Sequence, residues 1–126
     1  MSSKRILYVE DDLLMRRVFE KLFHLHGYDI EFIQNGEDAL TRFRESSVKP
    51  DAILLDIMIP KVDGIEVLKA IKENPIYSTI PVVILSNVGG DKDAARARAL
   101  GANHYFIKSE HEPEEIVTAV RELIGE

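Results

Sequence analysis

The stretch Ala52-Ile53-Leu54-Leu55-Asp56-Ile57-Met58-Ile59-Pro60-Lys61-Val62-Asp63-Gly64 decides the reading of the whole chain. Its first four residues are apolar and fit a strand buried on both faces, and Asp56 falls where that strand runs out of the sheet. Pro60 and Gly64 then break the chain, and Asp63-Gly64-Ile65-Glu66 has the spacing of a capping box that opens a helix. Asp63 therefore reads as a cap rather than a ligand. A carboxylate at the end of a buried strand is seldom needed for packing. In a doubly wound α/β fold the ligand crevice lies outside the carboxyl ends of the strands, which puts Asp56 where chemistry is usually done.

Towards the N-terminus, residues 6–9 form an apolar strand that runs into Glu10-Asp11-Asp12. From Leu13 the period changes. Leu14, Val18, Leu22 and Leu25 recur at steps of four and three, with Arg16, Arg17, Glu20, Lys21 and His24 on the other side, so an amphipathic helix ending at Gly27 is expected. Residues 28–33 alternate Tyr28, Ile30 and Phe32 against Asp29 and Glu31, as a strand near the sheet edge would. Asn35-Gly36-Glu37-Asp38 caps a second helix reaching about Ser46.

Beyond Gly64, Ile65, Leu68 and Ile71 give the third helix its buried stripe, and Asn74-Pro75 closes it. Residues 81–85 form a fourth strand that delivers Ser86 to its end. The helix over residues 91–100 holds Ala94, Ala95, Ala97 and Ala99, so its helix propensity is high and its buriable area small. A fifth strand over residues 104–107 ends at Lys108, and Pro113 starts a last helix whose stripe is Ile116, Val120, Leu123 and Ile124. Five strands alternating with five helices imply one parallel sheet covered on both faces by right-handed crossovers. The pattern leaves the strand order open.

Composition narrows the chemistry. The 126 residues suit one domain, numbered 1–126 with a core over about 4–124 and no output domain. Apolar residues make up 45% and charged residues 30%, and no apolar run reaches the roughly 20 residues of a membrane span. Met1-Ser2-Ser3-Lys4-Arg5 leads straight into a strand without the apolar core of a signal peptide, so a cytoplasmic protein is expected, with no membrane partner. Zero cysteines exclude disulfides, thiolate catalysis and zinc–thiolate sites. A net charge of −6, with Arg16-Arg17 and Arg96/Arg98 too sparse for a basic stripe, argues against direct nucleic-acid binding.

Four of the five strands end in a reactive side chain: Glu10 and Asp11, then Asp56, then Ser86, then Lys108. Parallel strands bring these ends to one rim. Three crowded carboxylates repel unless a cation lies between them, and an all-oxygen set with no histidine or cysteine suits Mg²⁺. A carboxylate can attack phosphorus to give an aspartyl phosphate, and phosphoryl transfer needs a metal, a fixed cation and hydrogen-bond donors around the phosphoryl oxygens. Mg²⁺, Lys108 and the Ser86 hydroxyl supply them.

On these motifs the chain resembles a response-regulator receiver domain of two-component signalling, of the stand-alone type, from about Lys4 to Ile124. The motifs are Val9-Glu10-Asp11, Leu55-Asp56 with Pro60 and Asp63-Gly64, Ser86, and Lys108. The resemblance implies a flavodoxin-like (βα)5 fold and a signalling switch rather than an enzyme acting on a separate substrate. It implies Asp56 as phosphoacceptor, Glu10 and Asp11 as the metal-binding acids with Mg²⁺, and Met58 as donor of a backbone carbonyl to the metal. Ser86 is similar to the switch hydroxyl, Tyr105 to the aromatic residue that moves with it, and Lys108 to the lysine that pairs with the phosphoryl group. The implied partners are a sensor histidine kinase or histidine phosphotransfer protein and an output protein that the sequence does not name. The surface near the fourth helix, fifth strand and fifth helix would change on phosphorylation, in a monomer or a weak phosphorylation-dependent dimer.

The chain departs from the family pattern twice. Ser109 stands where the family has a proline reached through a cis bond, which allows a trans Lys108–Ser109 bond and a shifted loop. Asn87, followed by Val88-Gly89-Gly90, stands where a small residue is usual. Rival readings fare worse on the residues. A haloacid-dehalogenase-type phosphatase needs a second acid two positions after its nucleophile, where this chain has Met58. A flavin carrier would meet an acidic first loop, and the phosphate-binding motif G-x-x-x-x-G-K-[ST] is absent. A receiver-like binding module that is never phosphorylated would not need Asp56, both acids and Lys108 together. His24 and His26 read as surface residues, and His104 and His111 take no role.

Overall fold

In the computed structural model, which describes residues 4–59, 61–87 and 91–126, strands and helices alternate along the chain. They run β1 Arg5–Val9, α1 Leu13–Leu25, β2 Asp29–Ile33, α2 Gly36–Glu45, β3 Ala52–Asp56, α3 Gly64–Glu73, β4 Val82–Ser86, α4 Asp91–Ala99, β5 His104–Ile107 and α5 Pro113–Ile124. The expectations that fall on Met1-Ser2-Ser3, Pro60 and Val88-Gly89-Gly90 lie outside the described residues.

All strand pairs are parallel, and the order across the sheet is β2-β1-β3-β4-β5. β2 is an edge strand, in keeping with its wetter alternation. The strand order reverses between β1 and β3, and such a reversal opens a crevice at the carboxyl ends of the two strands that flank it. Glu10 follows β1 and Asp56 closes β3, so the two acids flank that point.

Strand alternation divides the core into two layers. Leu7, Val9, Ile53, Leu55, Val82 and Ile84 pack with α2, α3 and Ala97 of α4. Ile6, Tyr8, Leu54, Val83 and Leu85 pack with α1 and α5 through Phe19, Phe23, Ile116, Val117 and Val120. In α4, Ala97 is the buried residue among those described, which agrees with the small area its sequence offers.

The buried stripe of α1 differs from the expected one. Leu14 is 70% exposed and Leu25 72% exposed, whereas Phe19 and Phe23 are fully buried, with Met15 and Leu22 packed beside them. The two stripes share the same spacing, so periodicity cannot choose between them. The rings decide: Phe19 meets Tyr8 edge-on at 5.3 Å and Phe23 stacks on Tyr28 at 5.9 Å, burying more area than the outer leucines would. Arg16 is not on a solvated side either, since its guanidinium lies 4.5 Å over the Phe32 ring.

Candidate functional site

The acidic cluster is assembled from β1 and β3. Glu10 continues β1 beyond Val9, and its backbone N–H donates to the Ile33 carbonyl of β2 at 2.8 Å, which extends the ladder and holds the residue in the sheet's rim. Its side chain is completely buried. Asp56, the last residue of β3, is also buried, while Asp11 is exposed. One oxygen from each of Glu10, Asp11 and Asp56 lies within 4.8 Å of the others. Asp12, the next acid, is diverted to structure: its Oδ1 accepts from the backbone N–H of Leu14 at 2.9 Å and of Met15 at 3.2 Å, capping α1.

Lys108 reaches this cluster from the end of β5. Its ammonium donates to Glu10 Oε1 at 2.7 Å and to Asp56 Oδ2 at 2.9 Å. The Lys108–Ser109 bond is trans, and Lys108–Glu110 forms a short 3₁₀ turn. The residue that replaces the usual proline therefore leaves the lysine aimed at both carboxylates. The other Asp56 oxygen, Oδ1, accepts from the Met58 N–H at 2.9 Å, so both oxygens are held. Met58 itself is 57% exposed.

Tyr8 is a part of the site that sequence reasoning missed. It is fully buried, two residues before Glu10 on the same face of β1, and its hydroxyl donates to Glu10 Oε1 at 2.9 Å. The signal was available in that i, i+2 spacing next to a strand-end acid. The Asp12 N–H donates to Glu10 Oε2 at 3.3 Å, which fixes the second oxygen.

Burial pushes the Glu10 carboxyl up to about 7, and the neighbouring Asp56 adds to the rise while Lys108 opposes it. Burial, with the Glu10 carboxylate beside it, also holds the Tyr8 phenol well above its ordinary range. For Lys108 burial acts to lower the ammonium's value, but the bonds to Glu10 and Asp56 outweigh it and the net direction is upward. The lysine is thus a fixed cation.

Ser86 and Tyr105 stand on the opposite face of the sheet from this cluster. Ser86 ends β4 and shares the alternation of Val82 and Ile84, and Tyr105 packs against the same layer. In register Ile84 lies beside Tyr105 and Ser86 beside Ile107. Ser86 is buried and lines a cavity of about 290 Å³ together with Ile57, Met58, Asp63, Asp93 and Arg96. Asp63 is a cap, as its sequence implies: its Oδ1 accepts from the Ile65 N–H at 2.8 Å. Asn87 is exposed and lies on the rim of a second cavity of about 310 Å³ with Asp12, Lys108, Ser109 and His111. His24, His26 and His104 are exposed, and His111 pairs with Glu115 at 3.1 Å.

A half-buried lysine bridges two buried carboxylates beside a third, exposed one, and this all-oxygen donor set has the chemistry of a hard divalent cation's ligands. The transcriptional regulatory protein TrcR of Mycobacterium tuberculosis is 32% identical over 123 residues, covering 98% of this chain and 46% of its own length. The chain spans about half the length of the first curated relatives it matches. The phosphorylated form of the cyanobacterial phytochrome response regulator RcpA superposes with a TM-score of 0.83 at 29% identity, over 97% of this chain and 91% of that one. The Mn²⁺-bound response regulator Rcp1 superposes with a TM-score of 0.82 at 30% identity, over 95% and 91%. The model of the response regulator receiver domain matches residues 6–121, a span that runs from within β1 through most of α5 and holds every site residue above; the chain belongs to that family.

Proposed function

We propose that this receiver domain takes a phosphoryl group onto Asp56 from a phosphohistidine of a sensor histidine kinase or phosphotransfer protein, and so switches the surface it offers to an output protein. The observation that carries the reading is the Lys108 ammonium placed between Glu10 and Asp56, with Asp11 within 4.8 Å of both acids. Glu10, Asp11 and Asp56 would hold Mg²⁺ with the Met58 carbonyl, a donor set that fits a hard cation, and Rcp1 was solved with Mn²⁺. When bound, the metal neutralises charge on the phosphoryl oxygens.

An Asp56 oxygen attacks phosphorus as the bond from phosphorus to the imidazole nitrogen breaks, and the imidazole leaves with that electron pair. Lys108 pairs with a phosphoryl oxygen. The Ser86 hydroxyl, at the carboxyl end of the neighbouring strand β4, donates to another across the shared rim, which couples the adduct to Tyr105 and α4. Adding about −1.5 to −2 charges at Asp56 can bias that element because α4 buries so little. We read the chain as a switch, with autophosphorylation and dephosphorylation at Asp56 as its own chemistry. It acts in the cytoplasm as a monomer or a phosphorylation-dependent dimer. No helix among the described residues is long and apolar enough to cross a membrane.

The test is intact-protein mass after incubation with acetyl phosphate, with and without Mg²⁺, on wild type and Asp56→Asn. One phosphoryl adduct that requires both Mg²⁺ and Asp56 supports the reading. No adduct under any condition would make the protein a binding module instead.

A further inference from the structure

Gly36 opens α2, some distance along the chain from every site residue, yet a Cβ built there would lie 2.3 Å from the Val62 carbonyl oxygen and 2.7 Å from the Val62 Cβ. Such a contact is impossible, so the α2 N-terminus and the β3–α3 loop touch backbone to backbone only because residue 36 has no side chain. The loop is constrained at two further points. Lys61, next to Val62, is held at φ 74°, a left-handed conformation that is unfavourable for a lysine. Gly64 closes the loop with its N–H on the Ile57 carbonyl at 3.1 Å, where a Cβ would lie 2.5 Å from the Ile57 Cα. Strain of this kind persists where the surroundings over-determine the backbone.

This loop begins at Ile57 and Met58, directly after Asp56, and its Met58 N–H fixes Asp56 Oδ1. We propose that Gly36 is a positioning residue for the phosphorylation site: its bare backbone seats Val62, holds Lys61 in the left-handed turn, and thereby sets how the loop presents Met58 to Asp56 and to the divalent cation. The inference rests on the receiver reading above. A side chain at residue 36 must push Val62 away by roughly 1 Å to reach an ordinary C···O contact of about 3.3 Å. Functional constellations tolerate displacements of about 0.5 Å.

The experiment titrates Mg²⁺ calorimetrically into wild type, Gly36→Ala and the neighbouring exposed-site control Glu37→Ala, and records melting temperatures of each without metal. Gly36→Ala is expected to weaken Mg²⁺ binding by at least 10-fold, the range seen when the supports of metal ligands are disturbed. It should also slow adduct formation from acetyl phosphate, while Glu37→Ala matches wild type. If Gly36→Ala does not fold, Val62→Gly carries the test, because it loosens the same contact from the loop side without adding atoms, and it should weaken Mg²⁺ binding several-fold. A folded Gly36→Ala or Val62→Gly that binds Mg²⁺ within twofold of wild type overturns the proposal, whatever its melting temperature. Wild type that neither binds Mg²⁺ nor takes a phosphoryl group overturns the proposed phosphorylation of Asp56 itself.

Discussion

The Lys108 ammonium lies 2.9 Å from the Asp56 carboxylate although 52 residues separate them in the chain. It also bonds Glu10, 98 residues away, so one cation stabilises two buried carboxylates across three strands. Removing it leaves both acids without a fixed counter-charge. Lys108→Met should therefore lower metal-free stability by about 3–5 kcal/mol, the cost of breaking a buried pair from one side. Added Mg²⁺ should restore more stability to the variant than to wild type, since it supplies the missing positive charge. Thermal unfolding with and without MgCl₂ checks both.

Glu10 sets a pH dependence of opposite sign to the usual acidic residue. Its carboxyl is raised from 4.5 to about 7, chiefly by burial, so the folded protein prefers it protonated. The stabilisation is complete below about pH 4.5 and is lost as pH rises through about 7, with roughly 3 kcal/mol at stake from 1.36 kcal/mol per pKa unit. Metal-free protein should thus melt several degrees lower at pH 8 than at pH 6, and Glu10→Gln should flatten the difference. Mg²⁺ affinity should rise over the same window, because the cation binds the carboxylate form. A metal-free melting temperature that climbs from pH 6 to pH 8 would sink this account.

Asp11 separates metal binding from folding. It belongs to the acidic cluster but is exposed, unlike Glu10 and Asp56. Asp11→Asn should leave metal-free stability within about 0.5 kcal/mol of wild type, as surface changes do. Its Mg²⁺ dissociation constant should rise by 10-fold or more, measured by calorimetry, in line with losing one carboxylate from a cation that uses few of them.

The register of α1 is tested by a pair of truncations. Phe19→Ala removes a fully buried ring packed on Tyr8 and should cost about 3–5 kcal/mol. Leu14→Ala, at a position 70% exposed, should stay within about 0.5 kcal/mol of wild type. Equal losses at the two positions would contradict the observed face.

Hydrogen exchange addresses the switch. Amides of α4, whose one fully buried residue among those described is Ala97, should exchange faster than those of α3, which buries Ile65, Val67, Leu68 and Ile71. Phosphorylation should change exchange in α4 and around Tyr105 more than in α2. Slow exchange throughout α4 in the unphosphorylated protein would remove it as the responsive element.

The sequence by itself determined the alternation of strands and helices, because buried parallel strands and amphipathic helices leave different periods, and it placed Glu10, Asp56, Ser86 and Lys108 at strand ends. Helix starts were legible for the same local reason: Asn35 and Asp63 as caps and Pro113 as a first helical residue act within a few residues of themselves. Other features depend on which elements become neighbours, and only the tertiary structure decided them. The order β2-β1-β3-β4-β5 brings the ends of β1 and β3 together. Strand alternation then sets Lys108 with the acids and places Ser86 with Tyr105 on the other face. Two helical stripes of equal spacing in α1 were separated only by the fit of Phe19 and Phe23 against Tyr8 and Tyr28. The contact of Gly36 with Val62 had no local signature, because it joins two backbones from different βα units, and periodicity carries no information about distances between them.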